Sequence, residues 1–260
     1  MSANSSASNS SAKKYWAILP AAGVGSRMQA DRPKQYLSIS VADQQKLVIQ
    51  HTLDRLLAYP LFEKVIVVVS KTDPYWAELD YQSNDKIIVA DGGKERCDSV
   101  LNGLNALADL ASAEDIVAVH DIARPCITHQ DLDKLFAELN SSESVGAILA
   151  NPVRDTMKRG AINKNTGNNS SAKNVIDHTV ERDQLWHALT PQVFSYALLK
   201  QAMEEALSAN HSVTDEASAV EYLNHQPLLV EGRSDNIKIT RPQDLKLAEL
   251  FLNQQLNEKE

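Results

Sequence analysis

The feature that most constrains this chain is the repeated alternation of short, continuous apolar runs with amphipathic stretches. Lys64–Ser70 (KVIVVVS) and Lys86–Ala90 (KIIVA) are almost wholly β-branched in their interiors, the pattern of strands covered on both faces. Tyr15–Leu19, Asp115–His120 and Val145–Ala150 continue the series. Between them, Leu47–Ala58, Cys97–Ala108 and Asp131–Leu139 carry apolar residues at helical spacing. Val100, Leu104 and Leu107, for example, fall on one face. Strand–helix alternation of this kind predicts an α/β fold with a Rossmann-like, doubly wound, mostly parallel sheet. The chain has 260 residues, 43% of them hydrophobic, enough for one large core.

The pattern changes after Pro152. Gly160–Lys173 is rich in Asn, Ser, Gly and Lys and lies between the β-capable segments Val153–Lys158 and Val175–Val180. This predicts a protruding β-arm over about 153–182. The regular pattern returns with helices at Tyr196–Ser208 and Asp215–Leu223, short strands at Leu228–Val230 and Ile237–Ile239, and a last helix from Pro242. A single domain over 15–257 is expected. Residues 1–14 begin with a Ser/Asn/Ala stretch lacking an apolar segment and read as a disordered tail rather than a signal peptide.

Charge narrows the range of partners. With 26 basic and 34 acidic residues the net charge is −8, which weighs against nucleic acid or an anionic membrane as partner. No apolar run is long enough to span a bilayer. Cys97 and Cys126 lack CxxC spacing, so two unpaired thiols in a reducing cytoplasm are expected.

In doubly wound sheets, ligands collect at the carboxyl ends of the strands, and here the polar, Gly-rich sequences fall there. The first strand runs into Pro20-Ala-Ala-Gly-Val-Gly-Ser-Arg27, another into Asp91-Gly-Gly-Lys-Glu-Arg96, and a third into His120-Asp-Ile-Ala-Arg-Pro125. Small residues at Ala21, Ala22, Gly23 and Gly25 let backbone N–H groups approach phosphate oxygens. The dinucleotide pattern GxGxxG fails at Met28, and the GxxxxGK[ST] loop is absent. Instead Arg27 and Lys34 follow in a long loop, where Pro33 disfavours helix at Arg32. The loop therefore combines a phosphate-binding backbone with two cations.

These residues closely resemble the signature of the 2-C-methyl-D-erythritol 4-phosphate cytidylyltransferase family. The matching blocks are Leu19-Pro-Ala-Ala-Gly-Val-Gly-Ser-Arg-Met28, Pro33-Lys-Gln-Tyr-Leu37, Asp91 to Val100, His120 to Cys126, Pro152 to Lys158, Thr179 to Arg182, Leu185 to Gln192, Thr214 to Ser218 and Glu231 to Thr240. They span the chain from about Tyr15 to the C-terminal helix. The resemblance implies a nucleotidyltransferase-type fold and transfer of a cytidylyl group from CTP to 2-C-methyl-D-erythritol 4-phosphate, with release of pyrophosphate, in non-mevalonate isoprenoid synthesis. A related enzyme acting on ribitol 5-phosphate is the alternative.

The resemblance also implies roles for individual residues. Arg27 and Lys34 would stabilise the transition state; Ala21, Ala22, Gly23, Gly25, Gly93, Ser99, Asp121 and Ala123 would bind CTP. Thr156, Arg182, Thr190, Thr214 and Lys238 would bind methylerythritol phosphate, with Arg182 and Lys238 aiming its phosphate. The arm would cross to a second subunit of a homodimer, so that Thr156 and Arg182 complete the partner's site. Mg²⁺ would be held mainly by CTP phosphates, with Asp121 or Asp235 assisting through water and no direct protein ligand assigned. Two positions depart from the family pattern: Ile122, where a small residue is usual, and Lys94, where an acidic one is common. His120 reads as structural, and Cys126 has no activating base nearby.

Overall fold

A computed structural model of the chain describes residues 12–23, 28, 31–81, 83–163 and 173–258. Its centre is a seven-stranded sheet of β1 (Tyr15–Pro20), β4 (Phe62–Val69), β5 (Ile87–Asp91), β6 (Ile116–Val119), β7 (Gly146–Pro152), β10 (Trp186–Ser195) and β11 (Leu228–Glu231). The order across the sheet is β11-β7-β10-β6-β1-β4-β5. β1 pairs in parallel with β4 and β6, β4 with β5, and β11 with β7; β10 alone runs antiparallel to both neighbours.

The β-branched runs are buried because helices cover both faces. On β1, Ala17 and Leu19 enter a cluster with Leu53 and Leu56 of α1 (Val48–Leu57) and Leu132 and Phe136 of α3 (His129–Ser141). Trp16 and Ile18 enter the opposite cluster, with Val100 and Leu104 of α2 (Arg96–Asn105), Leu199 of α4 (Tyr196–Ser208) and Val220 of α5 (Glu216–Tyr222). The two-residue period of the strand thus feeds both cores. Thr128 and Asp131 cap α3 reciprocally, Asp131 N–H donating to Thr128 Oγ1 and Thr128 N–H to Asp131 Oδ2. Pro242 opens α6 (Pro242–Asn257) at a position that needs no N–H.

The helices and parallel strands lie close to their predicted spans, and four differences have clear causes. A hairpin of β2 (Ser38–Val41) and β3 (Gln44–Leu47) was not predicted; its turn residues Ala42 and Asp43 both have positive φ without a glycine to announce it. β10 was not predicted either. Its register breaks between Ala188 and Gln192, and Pro191 sits in that break, where proline is tolerated within a sheet. Conversely, Ile237–Ile239 forms no strand. It packs into a third cluster with Met28, Ile39 and Val48, and Ile239 N–H donates to Ala123 O at 2.9 Å. The fold begins slightly before the predicted boundary, because Lys14 N–H donates to Asp115 Oδ1 and Lys14 O accepts from Ile116. The predicted tail over 1–11 lies outside the described residues.

A second antiparallel ribbon, β8 (Met157–Asn163) with β9 (Lys173–Val180), occupies the expected arm segment, with residues 158–162 and 174–179 exposed. Among the described residues it pairs with no other strand. Most of the polar insertion, 164–172, lies outside the described residues.

Candidate active site

The carboxyl ends of β1, β5 and β6 enclose a cavity of about 340 Å³. Ala21, Ala22 and Gly23 form one wall, Gly93, Lys94, Arg96 and Ser99 a second, and Asp121, Ile122 and Ala123 a third. Lys34 and Gln35 approach from the loop after β1, and Lys238 from the segment before α6. The structure therefore brings together the predicted Ala21, Ala22, Gly23, Lys34, Gly93, Ser99, Asp121, Ala123 and Lys238. Gly25 and Arg27 lie outside the described residues.

Close backbone approach shapes the nucleotide side. A Cβ at Gly92 would lie 2.3 Å from Ala22 Cβ, and one at Gly93 2.2 Å from Asp98 Cβ, so neither position admits a side chain without movement. Ser99 is 3% exposed; its Oγ accepts from Gly93 N–H at 3.0 Å and donates to Glu95 O at 3.1 Å. The hydroxyl thereby ties the first turn of α2 to the glycine loop. On the opposite side, among the described residues, no atom lies within 4 Å of a Cβ built at Gly23.

Lys34 is held in place by a short 3-10 turn over Lys34–Tyr36. Tyr36 Oη donates to Asp73 at 2.9 Å, and its ring packs 5.0 Å from that of Tyr75. Lys34 Nζ donates to Ile239 O at 2.9 Å. The segment misread as a strand is thus the shelf for this lysine.

Asp121 is the electrostatic centre. Its carboxylate, 9% exposed, meets Arg96 Nε at 3.1 Å, Lys238 Nζ at 2.8 Å and Arg124 Nε at 3.4 Å. Burial would push the carboxyl up, but Arg96, Lys238 and Arg124 outweigh it and hold it well below the usual carboxylate range. Arg96 is held in turn by Glu216, fully buried, through bonds of 2.6 and 3.1 Å to its two oxygens. Burial lowers the Arg96 guanidinium, yet Glu216 and Asp121 more than compensate and raise it. Removing one member of such a buried group typically costs about 3–5 kcal/mol.

Beneath Asp121 lies a closed set of polar contacts. Asp121 N–H donates to Thr190 Oγ1 at 3.0 Å, and that oxygen lies 3.1 Å from His120 Nδ1. His120 Nε2 lies 3.0 Å from Arg124 O, which can only accept. His120 is therefore neutral with its proton on Nε2, receiving the Thr190 hydroxyl on Nδ1. Burial pushes its pKa down to about 4, in keeping with the structural role read from the sequence.

Other expected substrate residues stand elsewhere. Thr190 lies under Asp121, its hydroxyl already committed, and does not line the cavity. Thr214 is exposed at the start of α5, its N–H donating to Ser218 Oγ. Thr156 and Arg182 are exposed at the foot of the ribbon, outside the cavity of their own chain; Arg182 donates to Arg154 O. Asp235 is bound by Arg233 and Gln255 and does not line the cavity. Cys126 is buried and pushed up to about 12 by that burial, an unreactive thiol. Sequence reasoning did not assign Gln35, Arg96, Arg124 or Glu216. Arg96 and Glu216 are 120 residues apart, and only the topology joins them.

A doubly wound sheet whose parallel strands open onto a cation-lined cavity, with tight glycine loops at its rim, is in keeping with a nucleotidyltransferase. Comparison with known proteins gives the particular one. The chain matches the 2-C-methyl-D-erythritol 4-phosphate cytidylyltransferase family over residues 15–254, and it belongs to that family. It is 49% identical over 243 residues to the 2-C-methyl-D-erythritol 4-phosphate cytidylyltransferase of Vibrio vulnificus (strain CMCP6), covering 94% of this chain and 96% of that protein. Identity to the enzyme of the same name from Vibrio atlanticus (strain LGP32) is 51% over 238 residues, covering 92% and 95%. The crystal structure of the Francisella tularensis 2-C-methyl-D-erythritol 4-phosphate cytidylyltransferase superposes with a TM-score of 0.76 at 35% identity, covering 92% of this chain and all of that one.

Proposed function

We infer that this enzyme joins CTP to 2-C-methyl-D-erythritol 4-phosphate, giving 4-diphosphocytidyl-2-C-methyl-D-erythritol and pyrophosphate in non-mevalonate isoprenoid precursor synthesis. The observation that carries the reading is the cavity in which Ala21–Gly23, Lys34, Gly93, Ser99 and Lys238 converge around Asp121. A phosphate oxygen of the alcohol substrate attacks the α-phosphorus of CTP; the bond to the bridging oxygen breaks, and pyrophosphate leaves. Both reactants are anions, so positioning and fixed positive charge supply the catalysis. In our assignment Arg27 and Lys34 stabilise charge on the α-phosphate and leaving group. Gly25 completes the triphosphate loop with Ala21, Ala22 and Gly23, and Gly93, Ser99, Asp121 and Ala123 take the remainder of CTP. Lys238 and Arg182 aim the attacking phosphate, with Thr156 and Thr214 holding the alcohol and Thr190 supporting Asp121.

Arg182 and Thr156 reach a cavity when the ribbon lies across a second subunit, and we assign a closed homodimer on that basis. Mg²⁺ would be held mainly by the CTP phosphates, where it would neutralise part of their charge. Asp121 already faces three cations, and no direct protein ligand is assigned. Small anionic substrates, rather than nucleic acid or a membrane surface, suit a chain of net charge −8, and among the described residues no helix is long and apolar enough to cross a membrane. Two free thiols support a cytoplasmic location.

Pyrophosphate release, measured with methylerythritol phosphate and ribitol 5-phosphate against each of the four nucleotides, tests the reading. Family membership favours the first alcohol with CTP; a clear preference for ribitol 5-phosphate or for UTP overturns it. Mixing Lys34→Ala with Arg182→Ala subunits tests the shared site. Random reassociation leaves one intact site in each mixed dimer and restores about a quarter of wild-type activity. No recovery on demonstrated subunit exchange excludes the shared site.

A further inference from the structure

One buried amide at the cavity belongs to none of the roles assigned above. Gln35 is 2% exposed, and its Nε2 donates to two carbonyls of the loop after β1, Ala21 O at 2.7 Å and Gly23 O at 3.1 Å. Both amide hydrogens are therefore spent on the loop, and the side chain forms part of the cavity wall. In a planar trans peptide the carbonyl and the following N–H point in opposite directions. A donor that fixes Ala21 O therefore also fixes the Ala22 N–H. On its other side Ala21 is tied to the sheet, its N–H donating to Val68 O at 2.8 Å. Gly23 lies two residues on in the same loop, its carbonyl held by the same amide nitrogen.

Gln35 also follows Lys34 directly, in a turn fastened by Tyr36 to Asp73 and by Lys34 to Ile239 O. One side chain thus joins two parts that must act on the same polyphosphate, the loop backbone and the lysine ammonium. We propose that Gln35 is the positioning residue of the triphosphate site, setting the Ala21–Gly23 backbone and the Lys34 turn in one fixed mutual geometry. The proposal rests on the CTP reading above. It differs from a packing role in one respect: the effect of losing Gln35 follows the β- and γ-phosphates, not the nucleoside.

The test compares Gln35→Met, which keeps the volume and removes both donors, with the wild-type full-length protein in Mg²⁺. Binding of CTP, pyrophosphate and CMP is measured by calorimetry, and the melting temperature is recorded. Loss of two buried hydrogen bonds to the loop is expected to weaken CTP and pyrophosphate about tenfold or more, with CMP changed less than about twofold. Equal weakening of CTP and CMP overturns the proposal in favour of general packing, and unchanged CTP binding in a folded variant overturns it outright. Gln35→Glu is an independent arm should the methionine variant not fold. Its carboxylate repels both carbonyls at neutral pH, and it regains a donor when protonated. Its CTP affinity relative to wild type should therefore recover as pH falls from about 8 to about 5, burial having raised the carboxyl. A ratio that stays flat across that range overturns the proposal. A wild-type protein that neither binds CTP nor releases pyrophosphate sinks the functional reading itself, whatever the variants do.

Discussion

At the carboxyl ends of β1, β5 and β6, charged side chains are buried and matched, whereas along β8 and β9 apolar side chains stand in solvent. Glu216, Asp121 and Arg124 are nearly inaccessible; Arg96 joins Glu216 to Asp121, and Arg124 pairs with Asp121 directly. Ile162 and Ile176 are 63% and 66% exposed. Conventional burial is inverted between the two regions, and each inversion has a distinct meaning. Buried charge that is fully paired is the mark of a site organised before its ligand arrives. Exposed apolar surface on a ribbon that, among the described residues, pairs with no other strand is surface left unpacked. One region has its charges already paired; the other leaves apolar side chains bare.

That contrast can be broken or sharpened by measurement. The largest effect is expected at the cavity: Lys34→Ala lowers turnover by roughly 10²–10³-fold while CTP still binds, read by steady-state kinetics beside calorimetry. Near-normal turnover removes Lys34 from the mechanism. Next is acid stability. Free histidine protonates near 6.5 and His120 near about 4, so between these values the unfolded chain takes up a proton that the folded chain refuses. The stability that His120 confers is complete above pH 6.5 and declines as pH falls to about 4, a loss of roughly 3 kcal/mol. Denaturant melts across that range should show the slope, and His120→Asn should flatten it. Below about pH 3.8, protonation of Asp121, whose folded value is depressed, adds a second loss.

A smaller effect is expected from Gly92→Ala. The new methyl collides with Ala22, costing about 1–3 kcal/mol and raising KM for CTP more than KM for the alcohol phosphate. Equal changes in the two constants would mean that the contact does not govern the nucleotide loop. Smallest is Ile176→Ser on the ribbon. It should change unfolding free energy by less than about 0.5 kcal/mol, yet move sedimentation toward the monomer. A large stability loss without a shift in mass would make the ribbon part of the core.

What the sequence disclosed follows from how information is stored in it. β4 and β5 were legible because their burial is written in consecutive residues, and the helices because theirs is written in a local period. β10 was hidden by Pro191, which argues against a central strand until the break in register is known. The glycine loops and Lys34 were legible as a pattern of small and basic residues. Arg96 and Glu216 were not, because an isolated Arg or Glu reads as surface charge and their pairing depends on packing α2 against the start of α5. Gln35 lay inside a recognised block, but its double bond to the loop is a fact of geometry alone.

The setting of Asp121 has a consequence for how a ligand enters. Three cations crowded into a small cavity would repel one another and be difficult to keep without an anion present. Asp121 serves as that resident anion, with Lys238, the most exposed of the three cations, the readiest to let go. An arriving anion therefore meets cations whose charge is already balanced by a carboxylate, not bare, hydrated charge.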